Sequence, residues 1–153
     1  MLKVMKTRDV RYPERSGRNA GFDFFVPNDI DCDPVLKGFM INPGDCCNIP
    51  SGIKVRLPKN HCLIAFNKSG IAVNTKLIVG ACVVDENYTG EIHLNMINVG
   101  KQPILITPGM KLSQFVLIKQ AYHEICVHQT EETLYEGFDK KERGSKGFGS
   151  SGI

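Results

Sequence analysis

The chain has 153 residues, 23% of them charged, with a formal net charge of +3. That length fits one domain that buries a core without disulfide or metal staples. So mild a charge speaks against a nucleic-acid coat or a membrane-surface protein and suits a small anionic ligand. No apolar run reaches the roughly 18 residues that span a bilayer. The N-terminal Met1-Leu2-Lys3-Val4-Met5-Lys6 lacks the apolar centre of a signal peptide. The expectation is a soluble protein, cytoplasmic or otherwise intracellular and not secreted. Cys32, Cys46, Cys47, Cys62, Cys82 and Cys126 include no CxxC pair, and the adjacent Cys46-Cys47 is poor metal-ligand spacing. Reduced structural thiols are expected. His61, His93, His123 and His128 show no HxxxH or HExxH spacing either.

In chain order, short apolar stretches alternate with glycine and proline punctuation, which predicts an all-β sandwich, barrel or jelly roll. In Ala20-Gly21-Phe22-Asp23-Phe24, Asp23 stands between apolar neighbours, where a partly buried carboxylate needs a partner. Ile53-Lys54-Val55-Arg56-Leu57 alternates as a half-buried strand does, and His61 to Phe66 is apolar enough for a buried one. Asn67-Lys68-Ser69-Gly70-Ile71-Ala72 puts a cation, a hydroxyl and a glycine in a row, which serves a phosphate or a solvated turn equally. One turn of helix is expected after Ser69, with Ser69 as its cap.

Leu77 to Gly100 reads as a hairpin. Leu77 to Val84 is one apolar arm, Asp85 to Gly90 a polar rim, and Glu91 onward an alternating return. Small residues at Gly80, Ala81 and Cys82 allow a flat ligand close to the backbone. Asp85 is a candidate general base for a water, against ordinary turn chemistry for Asp85 and Gly90. Gly109 to Gln114 is a turn leading into a strand, and Phe115 to Ile118 continues it; Gln114 either donates to phosphate or caps a loop.

From about Thr130 the chain becomes charged and reads as a tether, so residues 1–130 are expected to form the β-domain and 131–153 a tether with a glycine-rich arm. Its end, Arg143-Gly144-Ser145-Lys146-Gly147-Phe148-Gly149-Ser150-Ser151-Gly152-Ile153, cannot build a core. It can build a phosphate clamp. Glycines let successive N–H groups turn inward on an anion, arginine offers a fork of donors, and a lone aromatic can lie on a nucleobase.

Five of these segments, in this order, resemble the five motifs of the trimeric deoxyuridine triphosphatases (dUTPases): Ala20 to Asp23, Lys68 to Ala72, Val84 to Glu91, Gly109 to Gln114 and Arg143 to Gly152. The resemblance runs from about Pro13 to the end. It implies a jelly-roll-like β-barrel subunit of the β-clip kind and a homotrimer with active sites between subunits. One subunit supplies the hairpin, another phosphate contacts, and the third its arm. It also implies dUTP as substrate, dUMP and pyrophosphate as products, uracil kept out of DNA, and no nucleic-acid or membrane partner. In this assignment Asp85 activates the water that attacks the α-phosphorus. Gly80, Cys82 and Val84 line the uracil site, Tyr88 packs beneath the deoxyribose, and Phe148 stacks on the base. Lys68, Ser69, Gly70, Gln114, Arg143, Gly149, Ser150 and Ser151 face the phosphates. Mg²⁺ binds the triphosphate oxygens and water, with no direct protein ligand and Asp23 reaching it through water.

Three positions depart from the family pattern: Lys68 stands for an arginine, Cys82 for a glycine, and Lys146 for a glycine. Two rival readings remain. One is a dCTP deaminase of the same fold; the other is a non-catalytic nucleotide sensor or partner-binding protein, with Asn28 to Gly44 as its surface. The Asp85/Tyr88 pair and the arm with Arg143 and Phe148 favour the triphosphatase.

Overall fold

The computed structural model describes residues 1–137. In chain order its elements are β1 (Lys3–Lys6), β2 (Phe22–Phe25), β3 (Phe39–Ile41), β4 (Cys46–Pro50), β5 (Ile53–Arg56), β6 (His61–Asn67), α1 (Ser69–Thr75), β7 (Leu77–Val79), β8 (Val83–Val84), β9 (His93–Asn98), β10 (Ile104–Ile106), β11 (Lys111–Lys119) and α2 (Glu131–Leu134). The strands of Met1–Ala121 form one compact unit; the chain from Tyr122 forms a second, whose described part carries only α2. There Thr130 caps α2, its hydroxyl accepting the Thr133 N–H.

All pairings are antiparallel. A four-stranded sheet runs β2-β11-β6-β8, a three-stranded sheet β4-β9-β7, and two-stranded ribbons join β1 to β5 and β3 to β10. Alternation explains why they fold together. Along β9, Leu94, Met96 and Asn98 are buried while His93, Asn95 and Ile97 point the other way. Phe24, Leu63, Ala65, Val84 and Phe115 from the larger sheet meet Ile49, Leu77, Leu94 and Met96 from the smaller in one core. The Phe24 and Phe115 rings lie 4.3 Å apart, tilted by 42°. This is the all-β, jelly-roll-like architecture expected, and no helix among the described residues is long and apolar enough to cross a membrane.

Two local expectations change. Leu77 to Val84 is not one hairpin arm. The ladder of β7 on β9 ends where the Gly80 N–H meets Asn95 O at 3.1 Å, and Val83–Val84 then leaves to pair with Leu63 and Ile64 of β6. Nor is Ser69 a cap. Lys68 is the N-cap of α1, in extended conformation and with no side-chain cap bond, and Ser69 is the first helical residue. All six cysteines are free thiols.

Candidate active site

Strand register assembles one half of the site. On β11, Gln114 stands opposite Asp23 of β2 and opposite Phe66 of β6. One residue further, β6 delivers Asn67 and then Lys68. The Lys68 Nζ donates to Asp23 Oδ1, Lys111 Nζ lies 3.4 Å from Asp23 Oδ2, and Gln114 Nε2 donates to Asn67 O at 3.0 Å. The partner that Asp23 needed is therefore a pair of ammonium groups. Gly21 is dictated here too, because a Cβ on it would lie 2.7 Å from Gln114 Oε1. Ser69 and Gly70 follow at the start of α1, both exposed, and a Cβ on Gly70 would meet nothing within 4 Å. Three segments scattered over more than ninety residues thus become one cationic edge carrying free hydroxyl and amide groups.

The other half is a cleft of about 280 Å³ lined by Ala81, Cys82, Val83, Val84, Asp85 and Tyr88, by Asn48, Ile92, His93 and Asn95, and by Phe115 beneath. Gly80 adjoins it without lining it. Asp85 follows β8 at the cleft and is exposed. The Tyr88 N–H turns back to Asp85 O at 3.1 Å, and the Tyr88 hydroxyl donates to Glu91 O at 2.8 Å. That lays the ring over Gly90, where a Cβ would sit 2.4 Å from the hydroxyl oxygen. The loop's ends are pinned by carboxylates. Glu86 Oε2 accepts the Asn60 N–H at 2.7 Å, and Glu91 Oε1 accepts the Gly52 N–H at 2.6 Å and the Arg8 Nε–H at 3.1 Å.

These halves do not meet within one chain. Gln114 and Phe115 are successive residues of one strand, so their side chains leave opposite faces of the sheet. Phe115 is buried and lines the cleft; Gln114 looks out on the far side with Lys68 and Asp23. Around them that outer face carries Ile64, Val83, Val116 and an exposed Phe66. Arg143, Phe148, Gly149, Ser150 and Ser151 lie outside the described residues.

Asn95, Glu86 and Glu91 escaped the sequence reading as structural anchors. For Glu91 the signal was its place after Gly90; for Asn95 it was a polar side chain in an alternating strand, which usually means solvent. Burial pushes the Cys47 thiol up to about 11; a backbone hydrogen bond with Met96 opposes this and neighbouring Cys46 adds to it.

For Mg²⁺ the donor set is informative. Among the described residues no three His, Cys, Asp or Glu side chains converge to hold a metal, and both Asp23 oxygens already face lysines. A hard cation carried in on phosphate oxygens would need no more from these residues than a carboxylate near its waters.

A dUTPase family model matches residues 10–152. A deoxyuridine 5'-triphosphate nucleotidohydrolase of Caldanaerobacter subterraneus is 37% identical over 100% of this chain and 98% of its own length. A Pol polyprotein of equine infectious anemia virus is 33% identical over 92% of this chain, which spans only 11% of that protein. Among solved structures, a Staphylococcus bacteriophage 80alpha dUTPase with dUpNHpp superposes with a TM-score of 0.77, covering 100% of this chain and 99% of that one at 22% identity, a likeness of fold. With a family match across nearly its whole length and a full-length relative sharing more than a third of its residues, the chain belongs to the dUTPase family.

Proposed function

We propose that the protein hydrolyses dUTP to dUMP and pyrophosphate in an intracellular homotrimer. The observation that carries this reading is the cleft: a space of nucleoside size lined along one side by Ala81 to Val84 and bearing Asp85 and Tyr88. The uracil enters against Cys82 to Val84, next to Gly80. The deoxyribose lies on the Tyr88 ring, where a 2′-hydroxyl would clash. Asp85 accepts a proton from one water as its oxygen attacks the α-phosphorus; the bond from that phosphorus to the bridging oxygen breaks, and pyrophosphate departs. Mg²⁺ on the triphosphate supplies charge neutralisation. Asp23 would be the carboxylate to help hold that ion, sharing its charge with Lys68 and Lys111.

Phosphate contacts come from Lys68, Ser69, Gly70 and Gln114 of a neighbouring subunit. The divergence of Gln114 and Phe115 supports this, since one chain cannot turn both on the same substrate. The apolar outer face with Ile64, Phe66, Val83 and Val116 is a surface for that neighbour. Arg143, Phe148, Gly149, Ser150 and Ser151 close over the nucleotide as the third contribution.

Asp85→Asn tests the chemistry. The expected protein binds dUTP as the parent does and loses turnover by about a thousandfold, the middle of the range for removing a general base. Turnover within a few-fold of the parent would take Asp85 out of the proton-transfer step.

A further inference from the structure

The cleft's main-chain wall does not hold itself. Where β7 leaves β9, the Val79 N–H is already bonded to Asn67 Oδ1 at 2.7 Å and the Cys82 carbonyl accepts the Ala65 N–H of β6 at 2.8 Å; between these two anchors the side chain of Asn95 holds the turn. Asn95 lies on the outer face of β9, directly across the register from Asn48 of β4, and both line the cleft. Its Oδ1 accepts the Ala81 N–H at 2.9 Å, its Nδ2 donates to Cys47 O at 3.3 Å, and its own carbonyl accepts the Gly80 N–H at 3.1 Å. Two successive amides of the wall are therefore bonded to one residue, which is itself tied to β4. The fit is close enough to dictate its neighbour: a Cβ on Gly80 would lie 2.1 Å from Asn95 Oδ1.

We propose that Asn95 is a positioning residue for the base. It sets how deeply Gly80-Ala81 lies in the cleft, and so sets base selection, without touching the reacting phosphate. The inference rests on the assignment of this cleft to the uracil of dUTP. Its chemical content is that the Gly80 and Ala81 amides are spent on Asn95, so the base is read by what lies beyond them. The carboxamide converts a flexible small-residue turn into a wall of one depth. Loss of that depth should blur the distinction between uracil and a base with a 4-amino group.

The purified full chain with Mg²⁺ tests this in steady-state kinetics on dUTP and dCTP, with inhibition by inorganic pyrophosphate measured alongside. Asn95→Ala should raise KM for dUTP about tenfold, the upper end of what one neutral hydrogen bond contributes, and leave kcat within about threefold. The dUTP/dCTP preference should fall with it, while the pyrophosphate inhibition constant, blind to the base, stays put. A second variant ties the effect to geometry. Gly80→Ala should be damaging alone and markedly less so in the Asn95→Ala background, because the obstructing oxygen is gone. Parental KM and preference in Asn95→Ala would overturn the proposal. So would kcat and melting temperature falling together at unchanged preference, which marks mere destabilisation. A parent that turns over no deoxynucleotide would instead remove the assignment of the cleft, and the proposal with it.

Discussion

Asp23, Gln114 and Lys68 stand where strand register puts them, whereas Gly80 to Gly90 stand where individual side chains tie them. In the first region the β2-β11-β6 ladder runs through Asp23 and Gln114 and ends at Asn67, one residue before Lys68, so main-chain pairing holds these backbones. In the second, β7 and β8 belong to different sheets, and the span between and beyond them depends on Asn95, Glu86, Tyr88 and Glu91. The lesson is a division of labour: phosphate-side residues should tolerate substitution of their neighbours, and base-side residues should not.

The sharpest way to break that contrast is Gly90→Ala. The added methyl would collide with the Tyr88 ring, and overpacking of this kind costs about 1–3 kcal/mol. We expect kcat/KM for dUTP to fall about ten- to a hundredfold and rejection of UTP to weaken, read in parallel assays. Undiminished sugar preference would mean that Tyr88 does not support the deoxyribose.

Lys68→Met is the matched phosphate-side change. Asp23 keeps Lys111 at 3.4 Å, so the fold should hold, with a melting temperature near the parent's. KM for dUTP should rise about tenfold, the lower end for one charge-assisted hydrogen bond, and should become less sensitive to salt. An unchanged KM would leave Lys68 with only its ion pair to Asp23.

Smaller still is Glu91→Gln. It weakens the ties to Arg8 and Gly52 at the loop's end and should lower stability by about 1 kcal/mol, with turnover within a few-fold of the parent. Loss of activity without loss of stability would place Glu91 in the reaction itself.

The smallest effect concerns the thiols. With its thiol at about 11, Cys47 stays protonated at pH 8 and should alkylate after exposed Cys46 and Cys126. The raised value also gives a sign for stability. The folded state holds that proton more tightly, so the contribution is whole below pH 9.0 and fades as pH climbs towards 11. Peptide mapping after timed alkylation would expose any other order.

Where hydrophobic alternation was long enough, the sequence was legible. Ile53–Arg56 and the core of β9 stand as strands with the faces predicted. The three-residue strands β3 and β10 carry too few alternations to be told from turns, and β2, with Phe24 and Phe25 both buried side by side, does not alternate. The motif residues were visible as residue types, but not as neighbours: nothing in the chain states that β11 sets Gln114 opposite Asp23. Val83–Val84 read as a continuation of Leu77–Val79 because apolar runs do not announce a change of sheet. Asn95 was hidden for a related reason, since a polar residue on an alternating strand looks like solvent surface until Gly80 is seen pressed against it. Lys68 as cap was hidden by the preference of serine for that position.

The central claim is that this cleft selects deoxyuridine triphosphate for hydrolysis at the α-phosphorus. Pyrophosphate release by the purified chain with Mg²⁺, measured on dUTP, dCTP, dTTP and UTP with ammonia monitored from dCTP, tests it most directly. The account predicts pyrophosphate from dUTP, little from the other three, and no ammonia. Ammonia from dCTP would move the chemistry from the phosphate to the base, and silence on all four would contradict catalysis at this cleft.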